Sequence, residues 1–593
     1  MKTKISLKSE AARKQWKSSK NLYELHDLPA AANDLGNFSQ LARHLLALRG
    51  IKNAEEAENF LRPNYDKQNH DPFLLKGMEE GVARILEAME KKERIMIYTD
   101  YDADGIPGGV VLHDLFKKIG YANFTNYIPH RHNEGFGLNL EAVEKFAKDD
   151  VKLIITVDCG ITDVLEVKRA SELGMEVIIT DHHLPAAELP AALAIIDPKQ
   201  EGCEYPFKEL CGSGVAFKLA QAVIAKDRQT KNKFNIISGA EKWFLDMVGL
   251  ATLSDMVPLV GENRVFAFYG LKVLRKTPRL GLLQLARQLR LDLNHLTEDD
   301  IGFTITPRIN AASRMGQPRD AFDLLKSTDV LEAGRLALHL DEINTERKTA
   351  VAVIVREANK MCSERTGNSS MKPLLVLGNP DWRPSLLGLV ASKLVEEHKR
   401  PVFLWGREAG EGLKGSCRSD GSANVVELME RSKHVLLGFG GHRMAGGFST
   451  SIDLIHRLDE ELNNSYNEFR GELTRQEVCG IDQVLSLDDV TWENYREIEK
   501  LAPFGLGNPK PVFMFEKIEI DNVRSFGKGN LHLELAFLNS KMQKISAIAF
   551  FTKPNAFGSE LNEGAKINLV AHMEKSVFRG NVELRLRIMD LVA

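Results

Sequence analysis

The sequence predicts an α/β protein: a parallel-sheet catalytic domain, a long connecting helix, a second and smaller α/β domain, and a C-terminal antiparallel β-barrel. Three observations carry this expectation. The β-branched runs Ile95 to Tyr98, Leu153 to Val157 and Val177 to Thr180 end in turn residues and are separated by helical stretches, which is the pattern of parallel strands. From about Ala321 to Lys360, Leu336, Leu340, Ile343, Ala350, Ile354 and Ala358 recur at helical steps. Near the C-terminus, Leu531, Leu533, Leu535 and Phe537, and then Val582, Leu584, Leu586 and Ile588, alternate with polar neighbours at period two.

Taken in order, residues 1–75 read as a helical preface, with Leu41, Leu45, Leu46 and Leu48 before Gly50 and a second helix from Ala54 to Leu61 ended by Pro63. A helix with Met78, Val82, Ile85, Leu86 and Met89 on one face leads into the first strand and opens a domain over 76–320. Ala194-Ile195-Ile196 adds a buried strand, and Phe217 to Leu253 turns helical. The helix of 321–360 reads as a connector because a fresh strand, Pro373 to Leu377, begins just after the polar stretch Ser363 to Ser370. Residues 361–460 form the second α/β domain, with Trp382-Arg383-Pro384-Ser385 and a glycine-rich stretch from Gly438 to Gly447. Residues 475–593 form the barrel, with Gly527, Gly529 and Gly580 at its turns.

A chain of 593 residues exceeds a single core, and 43% hydrophobic with 27% charged residues is ordinary globular composition. Net charge is -4 and the isoelectric point about 6.5, so a polyanion site must be a local basic patch. The six cysteines, Cys159, Cys203, Cys211, Cys362, Cys417 and Cys479, form no close pairs of the zinc-ribbon kind, and the basic start (Lys2, Lys4, Lys8, Arg13, Lys14, Lys17) precedes no long apolar stretch. Reduced thiols and a cytoplasmic protein are expected.

The chemistry lies where the strands end. Asp100-Tyr-Asp102-Ala-Asp104-Gly105, Asp158-Cys-Gly160 and Asp181-His182-His183 each follow one of the three apolar runs. Ligand sites of parallel sheets lie at the carboxyl ends of the strands, so these groups converge on one crevice. Alone, each motif reads more readily as a turn or a helix cap. Together, so many carboxylates would repel one another unless cations neutralised them, which points to a divalent, binuclear metal site. In an extended strand end Asp102 and Asp104 would point the same way. Adjacent strand residues cannot both face one metal, so His182 is expected as ligand and His183 either behind the ligands or nearer the substrate; Asp158 is the candidate bridge and Asp255 a further ligand. Oxygen-rich donors with imidazole favour Mn²⁺ or Mg²⁺ over structural zinc.

This series of motifs resembles the DHH phosphoesterase superfamily, and nearly the whole length resembles its RecJ exonuclease family. The resemblance extends through Tyr127 to Leu138, Tyr205 to Gly214, Pro307 to Arg314, Gly440 to Gly447 and Leu501 to Pro509. It implies a DHH catalytic domain, a DHH-associated domain and a C-terminal domain of oligonucleotide-binding type. The activity it implies is 5′ to 3′ hydrolysis of single-stranded DNA to mononucleotides with two Mn²⁺ or Mg²⁺ ions, in DNA repair and recombination. Carried onto this chain, it makes Asp102, Asp104, Asp158, His182 and Asp255 metal ligands, with Asp100 and His183 as supporting or additional ligands. Asp102, Asp104, Asp158, His182 and His183 would form the catalytic group. Arg131, Arg308, Arg314, Ser416, Arg418 and His442 would hold phosphates of the strand. A single-strand-binding protein and a helicase are the implied partners.

The chain departs from the family pattern at Thr99, where glycine is usual, at Pro107-Gly108-Gly109, at Ser313, at Arg383 and Ser385, and at Cys417 between Ser416 and Arg418. None of these removes an expected ligand. The alternative activity is a phosphodiesterase of the same superfamily acting on short oligoribonucleotides or small nucleotides, and the terminal β domain favours the long-strand enzyme.

Overall fold

The computed structural model describes residues 14–18, 21–27, 29–36, 38–230, 233–366, 372–407, 412–469, 478–552, 554–557, 561–578 and 581–592. Lys2, Lys4, Lys8 and Arg13 of the basic start, Gly580, and part of the stretch Ser363 to Ser370 lie outside the described residues. The chain divides into two compact units, one of Tyr65–Arg475 and one of Met1–Asn64 with Gln476–Ala593.

The first of these units opens on a five-stranded sheet. Its strands Phe124–Tyr127, Arg94–Thr99, Val151–Val157, Glu176–Thr180 and Ala194–Ile196 lie side by side in that order. Every pairing is parallel, with Tyr98 opposite Tyr127 and Thr156, and Thr180 opposite Ile196. All carboxyl ends therefore share one edge. The strands are apolar on both faces because both are covered. Ile95, Ile97, Ile155 and Ile178 pack with Val82, Ile106, Val110 and Phe217, while Met96, Tyr98, Ile154 and Ile179 pack with Val143 and Phe146.

Helices Gly212–Thr230, Leu245–Ser254, Gly261–Leu274, Leu280–Leu289 and Thr306–Met315 complete this domain. The connecting helix begins later than expected. Pro318–Lys326 is a separate helix, the chain breaks at Ser327, and the long helix runs from Val330 to Thr366, its first turn capped by the Asp329 carboxylate accepting the Glu332 N–H at 2.7 Å. Leu336, Leu340 and Ile343 belong to the catalytic core, whereas Val351, Ile354 and Ala358 belong to that of the second domain, so one helix serves both. The second domain is a five-stranded sheet in the order Gly438–His442, Ala445–Thr450, Leu413–Arg418, Val402–Arg407, Leu375–Gly378, with only the last pair parallel. It extends past the expected boundary at 460, because helix Ile455–Phe469 buries Leu458, Leu462 and Tyr466 against it.

Two expectations are corrected in the other unit. The preface is not wholly helical: Gln15–Lys17 pairs with Leu22–Leu25, which pairs in parallel with Val478–Ile481. These strands are too short to show alternation, and they are held by partners remote in sequence. Trp16 and Tyr23 pack with Ile481, Met514, Val570 and Val592, and the Asp590 carboxylate accepts from Ser18 Oγ at 2.7 Å and Tyr23 OH at 3.0 Å. Helices Gln40–Leu48 and Ala54–Leu61 likewise bury Leu45, Leu46, Ala57 and Phe60 in one core with Phe513, Leu533, Leu535, Phe537 and Leu586.

The second concerns closure alone, since the terminal domain is the expected, mainly antiparallel β domain. The described strands form an open seven-stranded sheet whose edges, Gln483–Leu485 and Asn522–Phe526, do not pair with each other. It is mixed: Gln483–Leu485 runs parallel to Phe513–Glu519, and Ala547 pairs in parallel with Leu586. Alternation fixes the buried face and leaves strand order and direction open. Leu531 and Val582, assigned to the buried face, are exposed just outside or at the start of their strands.

Candidate active site

At the end of Arg94–Thr99 the Asp100 N–H still bonds to Val157 O, and the chain then turns. Asp102 Oδ1 accepts the N–H groups of Asp104 at 2.8 Å and Gly105 at 3.2 Å, which starts helix Gly105–Ile119. This turn overturns the expectation that Asp102 and Asp104 point the same way, since the backbone there is not extended. Asp104 is aimed instead by another helix: the N–H groups of Gly212 and Ser213, at the start of Gly212–Thr230, donate to its two oxygens at 2.6 and 2.8 Å. Gly212 is needed there because a Cβ would overlap the Asp158 carboxylate.

Asp158 ends its strand at φ +63°, a left-handed conformation that turns its carboxylate into the crevice. His182 Nε2 lies 3.2 Å from Asp158 Oδ1, 3.7 Å from Asp104 Oδ2 and 3.8 Å from Asp255 Oδ2. His183 Nδ1 is 2.7 Å from Asp181 Oδ1 and 4.0 Å from Asp158 Oδ1. Asp181 in turn accepts from the N–H of Ile161, which ties two strand ends together.

Potential donor atoms gather in three overlapping groups: Asp158 with His182 and His183, Asp104 with His182 and Asp255, and Asp100 with Asp102 and Asp158. Asp158 and His182 each belong to two of them. His182 and His183 fall in the same group, their rings 4.6 Å apart, because the chain has left the strand at that point and the alternation that would separate them no longer applies.

Without a cation this cluster is electrostatically frustrated. Burial, then the neighbouring aspartates, hold Asp100 and Asp158 well above the usual carboxylate range, and burial raises Asp104 despite His182. Burial, then Asp104 and Asp102, push Asp255 up to about 9. Burial keeps His182 neutral by lowering its pKa; at His183 burial also lowers, but the Asp181 carboxylate outweighs it and the imidazole rises to about 9. Asp100 Oδ1, Asp158 Oδ1 and His182 Nδ1 are buried without a hydrogen-bond partner among the described residues. Orphaned carboxylate oxygens beside neutral imidazole are the donor set that divalent cations satisfy, so these residues fit Mn²⁺ or Mg²⁺.

Beside the cluster lies a set of guanidinium groups from both domains of this unit. The Arg131 guanidinium sits 4.9 Å over the Tyr101 ring. Burial, followed by the fields of Arg131, Arg347 and Arg418, lowers Arg314 to about 9, opposed by Asp102. Its Nη1 donates to Ser385 O at 2.7 Å, while the Ser385 hydroxyl donates to Arg314 O at 3.1 Å. Arg418 Nη1 donates to Ser416 Oγ at 3.2 Å. Two expected strand contacts are placed differently. Arg308 is committed to Asp341 at 2.9 Å and to Thr304 O, and His442 is exposed on the edge strand Gly438–His442.

The sequence singles out nothing at Arg347, whose long helix shows no spacing signal for it. Gly212, Ser213 and Asn310 lie in the motif stretches Tyr205 to Gly214 and Pro307 to Arg314 without a role assigned there; Asn310 Oδ1 accepts the Ala103 N–H at 2.9 Å. The departures at Thr99 and Gly109 meet in the fold, where a Cβ on Gly109 would stand 2.6 Å from Thr99 Oγ1. Cys417 points into the core of the second domain, away from its neighbours Ser416 and Arg418, and burial raises its thiol to about 12.

Comparison with known proteins places three family models on the chain: the DHH family N-terminal domain on residues 94–252, the DHHA1 domain on 371–468 and the RecJ OB domain on 481–590. The chain is 38% identical to the single-stranded-DNA-specific exonuclease RecJ of Bacillus subtilis, over 93% of this chain and 68% of that one. It is 32% identical to the exonuclease of the same name from Haemophilus influenzae, over 96% of this chain and 98% of that one. The crystal structure of RecJ in complex with Mn²⁺ from Thermus thermophilus superposes with a TM-score of 0.78 at 26% identity, covering 96% of this chain and 78% of that chain.

Proposed function

Because this chain belongs to the RecJ family of single-stranded-DNA-specific exonucleases, we propose that its strand-end cluster hydrolyses the phosphodiester bonds of single-stranded DNA from the 5′ end, releasing mononucleotides. The enzyme is a metal-dependent nuclease using Mn²⁺ or Mg²⁺. Asp104, His182 and Asp255 would hold one ion and Asp100 and Asp102 the other, with Asp158 between them. The observation that carries this reading is that Asp158 shares one donor group with Asp100 and Asp102 and another with His182 and His183, while His182 also belongs to the group of Asp104 and Asp255. When bound, the cations lower the pKa of a water molecule and offset charge on the phosphate.

The chain's own residues do the rest. The Gly212 and Ser213 N–H groups keep Asp104 aimed, and Asp181 holds a proton at His183 Nδ1 and so fixes that ring. Arg131, Arg314, Arg347 and Arg418, with Ser416, would clamp the strand's phosphates, as planar guanidinium forks do bidentately. Arg314, tied to Ser385 of the second domain, would set the second domain against the catalytic one. Arg308, already paired with Asp341, would orient Arg347 through the long helix; His442 would meet the strand outside the cleft.

Digestion of end-labelled single-stranded DNA, duplex DNA and RNA with Mn²⁺ or Mg²⁺ tests polarity, strand and sugar preference together. Asp158→Ala should abolish nucleotide release and leave the circular dichroism spectrum unchanged; wild-type activity in that variant would overturn the shared-carboxylate site. No helix among the described residues is long and apolar enough to cross a membrane. A cytoplasmic location, a role in repair and recombination, and a single-strand-binding protein and a helicase as partners follow from the family resemblance, and co-purification from cells treated with a DNA-damaging agent tests them.

A further inference from the structure

The segment from Ile128 to Asn139 joins strand Phe124–Tyr127 to helix Leu140–Lys148 and reaches the active site at three points. The Arg131 guanidinium covers the Tyr101 ring, His132 Nε2 donates to Arg314 O at 3.2 Å, and the Phe136 ring centroid lies 5.5 Å from that of His183. Its backbone alone would not keep one shape. Gly135 and Gly137 flank Phe136, both left-handed at φ +84°, and glycine gives up more conformational freedom on folding than any other residue.

Two carboxylates tie the segment down. At its far end Asp163 Oδ2 accepts the Leu138 N–H at 2.6 Å, and Gly137 O accepts from the Tyr98 hydroxyl at 2.8 Å. At its near end the tie is Glu134. One of its carboxylate oxygens accepts from the Tyr127 hydroxyl and the other accepts the His130 N–H at 2.6 Å, while the Glu134 N–H donates to His130 O at 2.9 Å. The turn from His130 to Glu134 is thus closed in both directions and fastened to a strand end. That anchor is itself braced, because the Tyr127 ring stacks on Tyr98 with centroids 5.5 Å apart. Arg131 lies inside the closed turn, and it depends on such a hold: among the described residues its guanidinium has no carboxylate partner, and the charge of Arg314 opposes it.

We propose that Glu134 is a positioning residue for the exonuclease reaction, touching neither metal nor DNA and fixing the turn from which Arg131 meets a phosphate of the strand. This rests on the reading of Arg131 as a phosphate clamp. A side chain held in its bound geometry before the ligand arrives binds more tightly because less freedom is lost on association. A carboxylate beside the path of a polyanion also repels it, so a role through charge and a role through geometry carry opposite signs.

The test uses the full chain carrying Glu134→Ala, Glu134→Gln or Arg131→Ala, and the two alanine changes together. Affinity for a fluorescein-labelled oligothymidylate is measured by anisotropy in EDTA over a series of salt concentrations. Each phosphate contact to a single strand contributes about 0.7 to the slope of log affinity against log salt, so Arg131→Ala and Glu134→Ala should each flatten that slope by about 0.7. The double variant should match Arg131→Ala alone. Glu134→Gln, whose amide oxygen still accepts from one of the two donors, should stand nearer to wild type than Glu134→Ala. In Mn²⁺, Glu134→Ala should raise the KM for the dinucleotide pTpT more than it lowers kcat, and its melting temperature should respond to Mn²⁺ as that of wild type does. Tighter binding by both Glu134 variants would show an effect of charge and overturn the proposal, as would losses that add in the double variant, a loss confined to kcat, or a lost Mn²⁺ response. Weakened binding by Arg131→Ala beside wild-type binding by Glu134→Ala would overturn the positioning role alone, whereas wild-type binding by Arg131→Ala would overturn the phosphate clamp on which it rests.

Discussion

Single residues decide both the charge and the tightness of the active site. Asp255 is raised to about 9 and His183 to about 9 in the metal-free fold, each above its ordinary value. A group raised on folding contributes stability that is fully present below its unfolded pKa and is lost as pH rises through the folded one. The chelated protein should therefore melt at progressively lower temperature from about pH 5 to pH 9. Added Mn²⁺ should raise the melting temperature most at the upper end and release protons, as calorimetry in buffers of different ionisation enthalpy would show. A second prediction concerns Thr99 and Gly109. Gly109→Ala should destabilise by about 1–3 kcal/mol, the usual range for overpacking, and Thr99→Gly in the same chain should recover most of it, because the three atoms nearest the added methyl all belong to Thr99. Denaturant unfolding of the two single variants and the double variant reads that coupling. At this scale the sequence showed which residue types gather at the strand ends. It could not show that Asp102 and Asp104 part company, since that follows from a turn hydrogen bond, nor that Arg308 already has a partner in Asp341.

At the scale of elements, the sheet was legible because its strands are buried on both faces and read as unbroken apolar runs. The helices around it were legible in position but not in contact. Helix Gly212–Thr230 is the instructive one, for its apolar pattern says nothing of its N-terminal N–H groups holding a carboxylate from a different strand end. Gly212→Ala should displace Asp104 and Asp158 together. Its turnover should fall by about 10², the effect of a misplacement near 1 Å, its Mn²⁺ affinity should weaken, and its thermal midpoint with excess Mn²⁺ should still show a cooperative transition. Steady-state kinetics over a Mn²⁺ titration separates these effects. The long helix Val330–Thr366 was legible as a helix from its repeat and as a connector from the strand that follows it, and its start was not, because the break at Ser327 and the cap at Asp329 lie inside a sequence that keeps helical spacing.

At the scale of the whole molecule, the division into units follows contacts that sequence order conceals: Gln15–Lys17 and Leu22–Leu25 form a small sheet with Val478–Ile481, and the helices Gln40–Leu48 and Ala54–Leu61 share a core with the seven-stranded sheet. Cutting the chain after residue 475 should therefore leave Trp16, Tyr23 and Leu45 without their partners. That truncation should be protease-sensitive and prone to aggregate, whereas removing both ends to leave 65–475 should yield a cooperatively folding unit that retains pTpT hydrolysis. Limited proteolysis and calorimetry of the two truncations distinguish these outcomes. The same discontinuity sets a schedule for synthesis. The first segment leaves the ribosome with its apolar helix faces made, and the strands that cover them follow roughly 500 residues later. At about 5–20 residues per second that is a wait of roughly half a minute to two minutes. Throughout it the nascent chain exposes a ready surface for chaperones, while the nuclease unit between the two segments is already free to fold.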